Sequence, residues 1–328
     1  MAERIRGRRP EHISQFYSRA QIDSLADAFT AIGFSVEVFP DESSFLKTAT
    51  LDLDRHMMAD AIVYAIGECG FGPGRRALIP AFCQFNNIKY INSGPTANCI
   101  ARNKWLAYSI LTKHGIRMPR TWHYRSGNGW FRQRLPENNL EVILKPNYES
   151  MCVGIDENSV FSWGDKGSAF VEAFANSFDG EVIVQEFIPG LELGVPVIST
   201  VNDIQAIGCV GYKHRESPSE YWSKARTNYD ECTEGVVQNY DPKMIDSETL
   251  AQMHRTAEEA ARLLTFEGFC RIDFRLDAES NPFVIDTNES PPPLMQSAVG
   301  SLLARMGFSH GEYLSMLAEL GLRRRDFG

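Results

Sequence analysis

The sequence predicts an α/β protein that begins with a parallel-sheet unit and continues as an α+β arrangement of helices and strands. Three observations lead to this class. The chain has 328 residues, a length that suits two domains or three small ones. Helical and strand patterns alternate over about the first hundred residues. Near the C-terminus, two strand-like runs are joined by a short turn, which indicates an antiparallel hairpin.

In the first unit, helix and strand patterns follow each other closely. Apolar residues recur at helical spacing from Ile22 to Ile32, and Gly33 follows as a typical C-terminal helix residue. A strand at residues 2–6 would be polar and basic, so we expect it to lie at a sheet edge or to be missing. The later predicted elements are strands at residues 34–39, 61–66 and 88–91 and a helix at residues 75–85.

Beyond residue 93 the pattern changes to longer strands and one long polar segment. Residues 213–242 are mainly polar and rich in Tyr, Ser, Glu and Lys, and a segment of that length is typically a functional lid or disordered. The predicted helices are residues 104–114, 168–177 and 247–264. The predicted strands are residues 141–144, 182–187, 193–199, 204–212, 270–276 and 282–286.

Composition excludes several classes of protein. The 33 Lys and Arg against 42 Asp and Glu give a net charge of −9, which argues against a general nucleic-acid binder. No run of about 18 apolar residues is present, and no apolar region follows the arginines near the start, so we expect neither a membrane span nor a signal peptide. The seven cysteines are scattered without a CxxC pair, which favours a reducing cytoplasm over zinc or disulfides.

The strongest local signal is the C-terminal hairpin. Its first strand contains Arg271 and Asp273, and its second ends with Asp286 and Asn288. Alternate residues of a strand share a face, so each pair points to one side. Two carboxylates and an amide oxygen suit Mg²⁺, and the arginine suits a phosphate or an oxyanion. By pattern alone, a solvated polar face explains the same residues equally well.

Two other patterns are compatible with nucleotide binding. Lys145 closes an apolar strand before a loop of small residues, which suits a phosphate-binding lysine but also an ordinary surface lysine. Residues 185–192 carry an apolar strand into a Pro-Gly turn with carboxylates on both sides. That segment fits hydrogen bonding to a purine edge or a ribose, or simply the end of a strand. Neither Lys104 nor Lys224 carries a signal alone.

Taken in chain order, these residues resemble the ATP-grasp superfamily and, within it, the D-alanine–D-alanine ligase family. The resemblance extends from about residue 7 to the C-terminus. It implies an ATP-grasp fold with an N-terminal substrate domain (1–98), a central domain (99–192) and a C-terminal domain with hairpin and lid (193–328). The matching motifs are Lys104, Lys145-Pro146 with Val153-Gly154, residues 185–192, Arg271-Ile272-Asp273 and Asp286-Thr287-Asn288.

The resemblance also implies a role for each matching residue. Binding of ATP would involve Lys104, Lys145, Gln185, Glu186, Ile188, Glu192 and, from the lid, Lys224. Two Mg²⁺ ions, with Mn²⁺ as the alternative, would be held by Asp273, Asp286 and Asn288. The substrate residues would be Glu11 for the first substrate's amine and Ser297 for the acceptor's carboxylate. The catalytic residues would be Arg271, which stabilises the tetrahedral intermediate, together with Lys224 and Glu11.

The departures from the family pattern lie mainly at first-substrate positions. The usual Gly-Gly-x-Ser-x-Glu reads Gly7-Arg8-Arg9-Pro10-Glu11, and Gly67 replaces a histidine. Both serines of the central loop are replaced, by Met151 and Cys152, and Ala225 replaces the tyrosine after the lid lysine. The Pro-Gly after the metal residues reads Pro291-Pro292-Pro293, which removes one backbone N–H. The metal glutamate is Asp286, one methylene shorter, so its bridging of both ions is in question.

The predicted function is ATP-dependent amide formation between amino-acid-like substrates through an acylphosphate, with neither nucleic-acid nor membrane partners. Because the departures concern the first substrate, we expect a different acyl donor and a specialised pathway to a small peptide or cyclic amide. The alternatives are a genuine D-alanine–D-alanine ligase and a non-catalytic nucleotide-binding regulator. The resemblance also implies a possible homodimer, because dimers are common in the family.

Overall fold

The computed structural model describes residues 17–54, 58, 60–67, 72–131, 134–150, 152–155, 158–178, 180–200, 202–214, 237–240 and 245–324. Within these residues the chain forms one small parallel sheet and two larger antiparallel sheets. The predicted strand at residues 2–6 and most of the long polar segment lie outside the described residues. No helix in the described part of the chain is long and apolar enough to span a membrane.

The N-terminal part contains the parallel pair β1 (Ile62–Val63) and β2 (Lys89–Tyr90). Its helices are α1 (Arg19–Ala31), α2 (Glu42–Asp54), α3 (Leu78–Phe85) and α4 (Pro95–Ala101), with a 3₁₀ turn at Pro73–Ala77. Helix α1 begins with a capping box in which Ser18 and Gln21 satisfy each other's backbone N–H groups. The predicted strand at residues 34–39 is wrong, because this stretch is irregular and pairs with no described strand.

The first antiparallel sheet has the strand order β4-β3-β7-β5-β6. These strands are β3 (Thr121–Arg125), β4 (Gly129–Trp130), β5 (Glu141–Pro146), β6 (Val160–Ser162) and β7 (Glu181–Glu186). One face packs on α6 (Gly167–Ala175) through a core that includes Val142, Val171 and Val184. Helix α5 (Lys104–Lys113) precedes the sheet, and Asn103 caps it by accepting the Leu106 N–H.

The second antiparallel sheet has the order β11-β10-β8-β12-β13, with β9 also paired to β8. Its strands are β8 (Glu192–Ser199), β9 (Ile204–Ala206), β10 (Val210–His214), β11 (Val237–Tyr240), β12 (Gly268–Leu276) and β13 (Pro282–Asn288). The amphipathic helix α7 (Ser247–Leu263) covers one face through buried Met253, Ala257 and Ala260. Helices α8 (Ala298–Arg305) and α9 (His310–Leu322) complete the chain and pack with α1 around Phe269 and Tyr313.

The C-terminal hairpin is confirmed: β12 and β13 are antiparallel neighbours, and Asp273 lies opposite Asp286. The single strand predicted for residues 204–212 is corrected to two strands, β9 and β10. Gly208 breaks it with φ +147°, a left-handed value that favours glycine. The two halves then pair with opposite ends of β8.

Candidate active site

A cavity of about 280 Å³ lies where the two antiparallel sheets meet α5 and α8. It brings together every sequence-predicted site residue that falls within the described part of the chain. These are Lys104, Lys145, Gln185, Glu186, Ile188, Glu192, Arg271, Asp273, Asp286, Asn288 and Ser297. Glu11 and Lys224 lie outside the described residues, so their roles stay predictions.

The two lysines reach the cavity from different elements and converge on strand β13. Lys104 is the first residue of α5, and its Nζ lies 3.3 Å from Asp286 Oδ1. Lys145 lies on β5, and its Nζ donates to Gln185 Oε1 at 2.9 Å and to the Ile285 carbonyl at 3.3 Å. Burial lowers the pKa of Lys145 to about 8, because it disfavours the charged ammonium. Both cations therefore point to one small region above the hairpin.

The hairpin presents Arg271, Asp273 and Asp286 next to one another. Arg271 holds Asp273 through two hydrogen bonds, Nε to Oδ1 at 2.6 Å and Nη2 to Oδ2 at 2.7 Å. Arg271 also pairs with Asn288 in the strand register. Its guanidinium lies 5.8 Å from the centre of the Tyr212 ring. The two hydrogen bonds to Asp273 fix the plane of the guanidinium, and a lysine could not make this two-point contact.

The two hairpin carboxylates have pKa values shifted in opposite directions. Burial raises the pKa of Asp273, with the nearby charges of Asp286 and Glu192 adding to the effect and Arg271 opposing it. Burial acts in the same sense on Asp286, but the charges of Lys104 and Lys145 outweigh it and lower the pKa. The two lysines thus stabilise the negative charge of Asp286, and Arg271 stabilises that of Asp273.

The donor set of the hairpin fits Mg²⁺. Asp273, Asp286 and Asn288 supply three hard oxygen donors, and Mg²⁺ usually takes one or two carboxylates with waters and phosphate oxygens completing its shell. Within the described residues no group of three or more His, Cys, Asp or Glu forms a metal-binding cluster. A site with two carboxylates and one amide is consistent with that result, because it contains only two such residues. The remaining positions around the ion would be filled by phosphate oxygens and water.

Two arginines that were not predicted from the sequence contact Glu186, Ile188 and Glu192 of the predicted ATP-binding set. Arg120 Nε lies 2.9 Å from Glu186 Oε2. Arg275 donates to Glu192 Oε2 at 2.8 Å and to the Ile188 carbonyl at 3.0 Å. Arg275 could have been found, because it follows Arg271 and Asp273 at alternate positions of one strand. Arg120 gave no such signal, since its partner lies 66 residues away.

Four further residues that line the cavity, together with the neighbouring Arg75, form arginine–carboxylate pairs. Buried Arg75 donates to Glu149 Oε2 at 3.0 Å. Arg76 Nε and Arg102 Nε lie 3.2 and 3.9 Å from Oε1 of Glu289. None of these five residues was assigned a role by the sequence analysis, because pairs between distant segments are invisible in the sequence.

Two positions that depart from the family pattern, Gly67 and Cys152, and one that keeps it, Ser297, have distinctive local structure. A Cβ on Gly67 would lie 2.7 Å from Glu42 Oε1, so no side chain fits without displacing that carboxylate. Cys152 has φ +59°, a strained value for a residue other than glycine, and it lines the cavity. Ser297 caps α8 by accepting the Gly300 N–H at 3.2 Å, so this predicted substrate residue also has a structural role.

Comparison with known proteins decides the family. The sequence profile of the D-ala D-ala ligase C-terminus matches residues 108–319, which is more than half of the chain. The chain belongs to the D-alanine–D-alanine ligase family. The D-alanine–D-alanine ligase of Bordetella avium is 28% identical over 254 residues, covering 77% of this chain and 76% of that enzyme.

Solved structures show the same fold. A D-alanine–D-alanine ligase from Bacillus anthracis gives a TM-score of 0.67 at 14% identity, covering 94% of this chain and 95% of its own. The same enzyme complexed with ATP gives 0.63 at 14% identity over 87% of this chain and 84% of its own. The VanG D-Ala:D-Ser ligase from Enterococcus faecalis gives 0.62 at 18% identity over 79% and 72%.

Several predictions are thereby confirmed. The chain has the ATP-grasp fold and is a divergent member of its family, and its described residues form one parallel and two antiparallel sheets. It is an ATP-binding ligase that forms C–N bonds. The interpretation as a non-catalytic regulator is therefore dropped.

Proposed function

We propose that the protein joins the carboxylate of one amino acid to the amine of a second, with D-alanine as the first substrate to test for both. The relatives from Bordetella avium and Bacillus anthracis are D-alanine–D-alanine ligases, and they favour this reaction over the specialised pathway that the sequence departures predicted. The observation that carries the proposal is the convergence of Lys104, Lys145 and the Arg271–Asp273 pair on one cavity.

The chemistry of such a reaction explains why each of these groups is needed. A carboxylate is a poor electrophile, and transfer of the ATP γ-phosphoryl group converts it to an acylphosphate. Lys104 and Lys145 lie where they can bind the phosphate oxygens, and Lys224 would join them from the polar segment. When bound at Asp273, Asp286 and Asn288, Mg²⁺ would supply further charge neutralisation.

The second half of the reaction depends on Arg271. The amine attacks the acyl carbon, a tetrahedral oxyanion forms, and phosphate leaves. A guanidinium held in a fixed plane stabilises that oxyanion without reorganising during the step. Residues 213–242 would cover the cavity and exclude water, which otherwise hydrolyses the acylphosphate. The division into domains at residues 98 and 192 remains part of this proposal.

A second candidate reaction keeps the chemistry but changes the acyl donor. The observation that favours it is the pair of arginines, Arg76 and Arg102, which line the cavity beside Glu289. A small apolar side chain such as the methyl group of alanine makes no hydrogen bond or ion pair with a guanidinium group. An amino acid with an additional carboxylate could be bound by these arginines, because arginine binds carboxylates in a defined geometry.

One assay separates the two candidates. Purified protein is incubated with ATP, Mg²⁺ and single or paired amino acids of both configurations, and ADP and amide products are measured by mass spectrometry. Formation of D-alanyl-D-alanine supports the first candidate. Turnover confined to acidic amino acids, and lost in Arg102→Met, supports the second. Absence of ADP formation with every pair, in protein that binds ATP, contradicts both.

A further inference from the structure

Asn147 is a buried polar residue that lies between Lys104 and Lys145, the two lysines proposed to bind phosphate. It lies two positions after Lys145, just beyond the end of β5, and its side chain is fully buried. It contacts the start of α5, where Lys104 is the first residue. It therefore lies between the backbone segments that carry the two lysines.

Asn147 satisfies the first two backbone N–H groups of α5. Its carbonyl oxygen accepts the Lys104 N–H at 3.1 Å, and its side-chain Oδ1 accepts the Trp105 N–H at 2.9 Å. Asn103 accepts the third, from Leu106, at 3.0 Å. The first N–H groups of a helix have no partner within the helix. Here they are bonded to the strand that carries the second lysine, so helix and strand are tied at this point.

The orientation of the Asn147 amide is fixed from the other side. Its Nδ2 donates to Asn103 Oδ1 at 3.1 Å and to Glu181 Oε2 at 3.3 Å. Its backbone N–H donates to the Glu181 carbonyl at 3.0 Å. The Glu181 carboxylate is itself held by His123 Nε2 at 3.0 Å and by Arg125. An anionic acceptor faces Nδ2 and an N–H donor faces Oδ1, so only the amide matches both.

We infer that Asn147 is a positioning residue that sets the place of Lys104 relative to Lys145, so that both ammonium groups meet the same ATP phosphates. The inference rests on the proposed assignment of these lysines to ATP. Both side chains end near β13, at Asp286 and at the Ile285 carbonyl. A shift of α5 along β5 would separate them, and misplacement of a binding group by about 1 Å costs up to about a hundredfold in rate.

The test compares Asn147→Asp with the wild type. Aspartate keeps the size and the acceptor for Trp105, but it places a carboxylate oxygen against Glu181. We expect the KM for ATP to rise about tenfold or more, while the KM for the amino acid stays within about twofold. A residue with only a structural role would lower Tm and the active fraction and leave the KM for ATP unchanged.

Ser199→Ala is the matched control. Ser199 is also buried and donates to the Phe266 carbonyl at 2.6 Å, away from the lysines. It should lower Tm and leave the KM for ATP unchanged. If Asn147→Asp does not fold, Asn103→Ala tests the same link from the helix side, with a several-fold rise in the KM for ATP expected.

Binding of a non-hydrolysable ATP analogue with Mg²⁺, measured by calorimetry, separates this inference from the proposed reaction. Weaker analogue binding in the variant supports the positioning role even if no amide product is found. Unchanged analogue affinity in a folded Asn147→Asp or Asn103→Ala variant overturns the inference, whatever the products of the wild type are.

Discussion

At the scale of single residues, the two hairpin carboxylates that line the cavity, Asp273 and Asp286, each have a cationic partner. Asp273 is held by Arg271 through two hydrogen bonds of 2.6 and 2.7 Å. Asp286 lies 3.3 Å from Lys104, and its side chain keeps two-fifths of its exposure. Buried charges need such partners, because an unpaired one costs several kcal/mol. On binding of metal and phosphate, Mg²⁺ would replace the cationic side chains as partner of the carboxylates. The phosphate would replace Asp286 as partner of Lys104. The two ligands should therefore bind cooperatively.

Substitution of Arg271 separates binding from turnover. Arg271→Lys keeps a cation beside Asp273 but loses the two-point contact, so the charge is no longer held in one place. We expect ATP affinity to stay near the wild-type value and turnover to fall about a hundredfold or more. Arg262→Lys, an exposed substitution on α7, is the control. Unchanged turnover in Arg271→Lys would remove this residue from the mechanism.

At the scale of elements, the site depends on how closely β8 approaches β12. Gly194 lies opposite Asp273 in the strand register. A Cβ at this position would lie 2.3 Å from Tyr212 Oη, 3.0 Å from Arg271 Cδ and 3.1 Å from Asp273 Oδ1. Three residues that line the cavity thus occupy the space of one missing side chain. The absence of a side chain here allows Arg271 and Asp273 to pack against the strand.

Gly194→Ala tests this packing. The added methyl group must displace Tyr212 or the Arg271–Asp273 pair, so we expect turnover to fall about tenfold or more. Gly164→Ala is the matched control, because nothing lies within 4 Å of a Cβ built there. Steady-state kinetics on both variants, with Tm as a measure of folding, gives the answer. Equal turnover in the two variants would show that β8 yields without disturbing the site.

The pairing of β3 with β7 carries a pH-dependent contribution to stability. His123 on β3 lies 3.0 Å from Glu181 on β7, and its ring stacks on Trp105 with centroids 5.2 Å apart. Burial lowers the pKa of His123, and the opposing effect of Glu181 does not restore it. Below pH of about 6.5 the unfolded state then binds a proton that the folded state resists, so stability falls with decreasing pH.

The measurement is Tm between pH 7.5 and 5 for wild type and His123→Gln. Glutamine can still donate to Glu181 but does not titrate, so we expect a shallower loss of Tm towards acidic pH. His114→Gln, at an exposed position, is the control and should keep the wild-type slope. An identical slope in His123→Gln and wild type would assign the acid sensitivity to other groups.

At the scale of the whole molecule, the sequence predicted best where a pattern is local. The hairpin was found because alternate residues of a strand share a face, and α7 because its apolar residues recur at helical spacing. Strand β3 was missed because its buried residues include Trp122, His123 and Tyr124, whose polar atoms make its sequence look exposed. Helices α2, α4 and α8 were not predicted either.

For the site residues, too, local patterns were predicted and contacts between distant segments were not. Residues of the ordered family motifs were found, and the structure gathers those it describes around one cavity. Arg120 and Asn147 were missed because their partners lie in other elements, 66 and 34 residues away for the contacts with Glu186 and Glu181. Pairing across such distances is a product of the fold. It carries no spacing that a linear pattern can show.

The C-terminal segment ties the N-terminal sheet to the rest of the molecule, and this predicts a contrast between two adjacent arginines. Arg324 donates to Tyr90 on β2 at 2.9 Å, contacts Glu267 and the Asn92 carbonyl, and is almost fully buried. Its neighbour Arg323 makes an exposed pair with Glu319.

Arg324→Met keeps the apolar stem but removes these charged hydrogen bonds, at a cost of about 1–3 kcal/mol. Arg323→Met should change stability by less than about 0.5 kcal/mol. Thermal unfolding should therefore show a Tm lower by several degrees for the first variant only, and equal Tm values would show that the C-terminal segment does not hold the sheet.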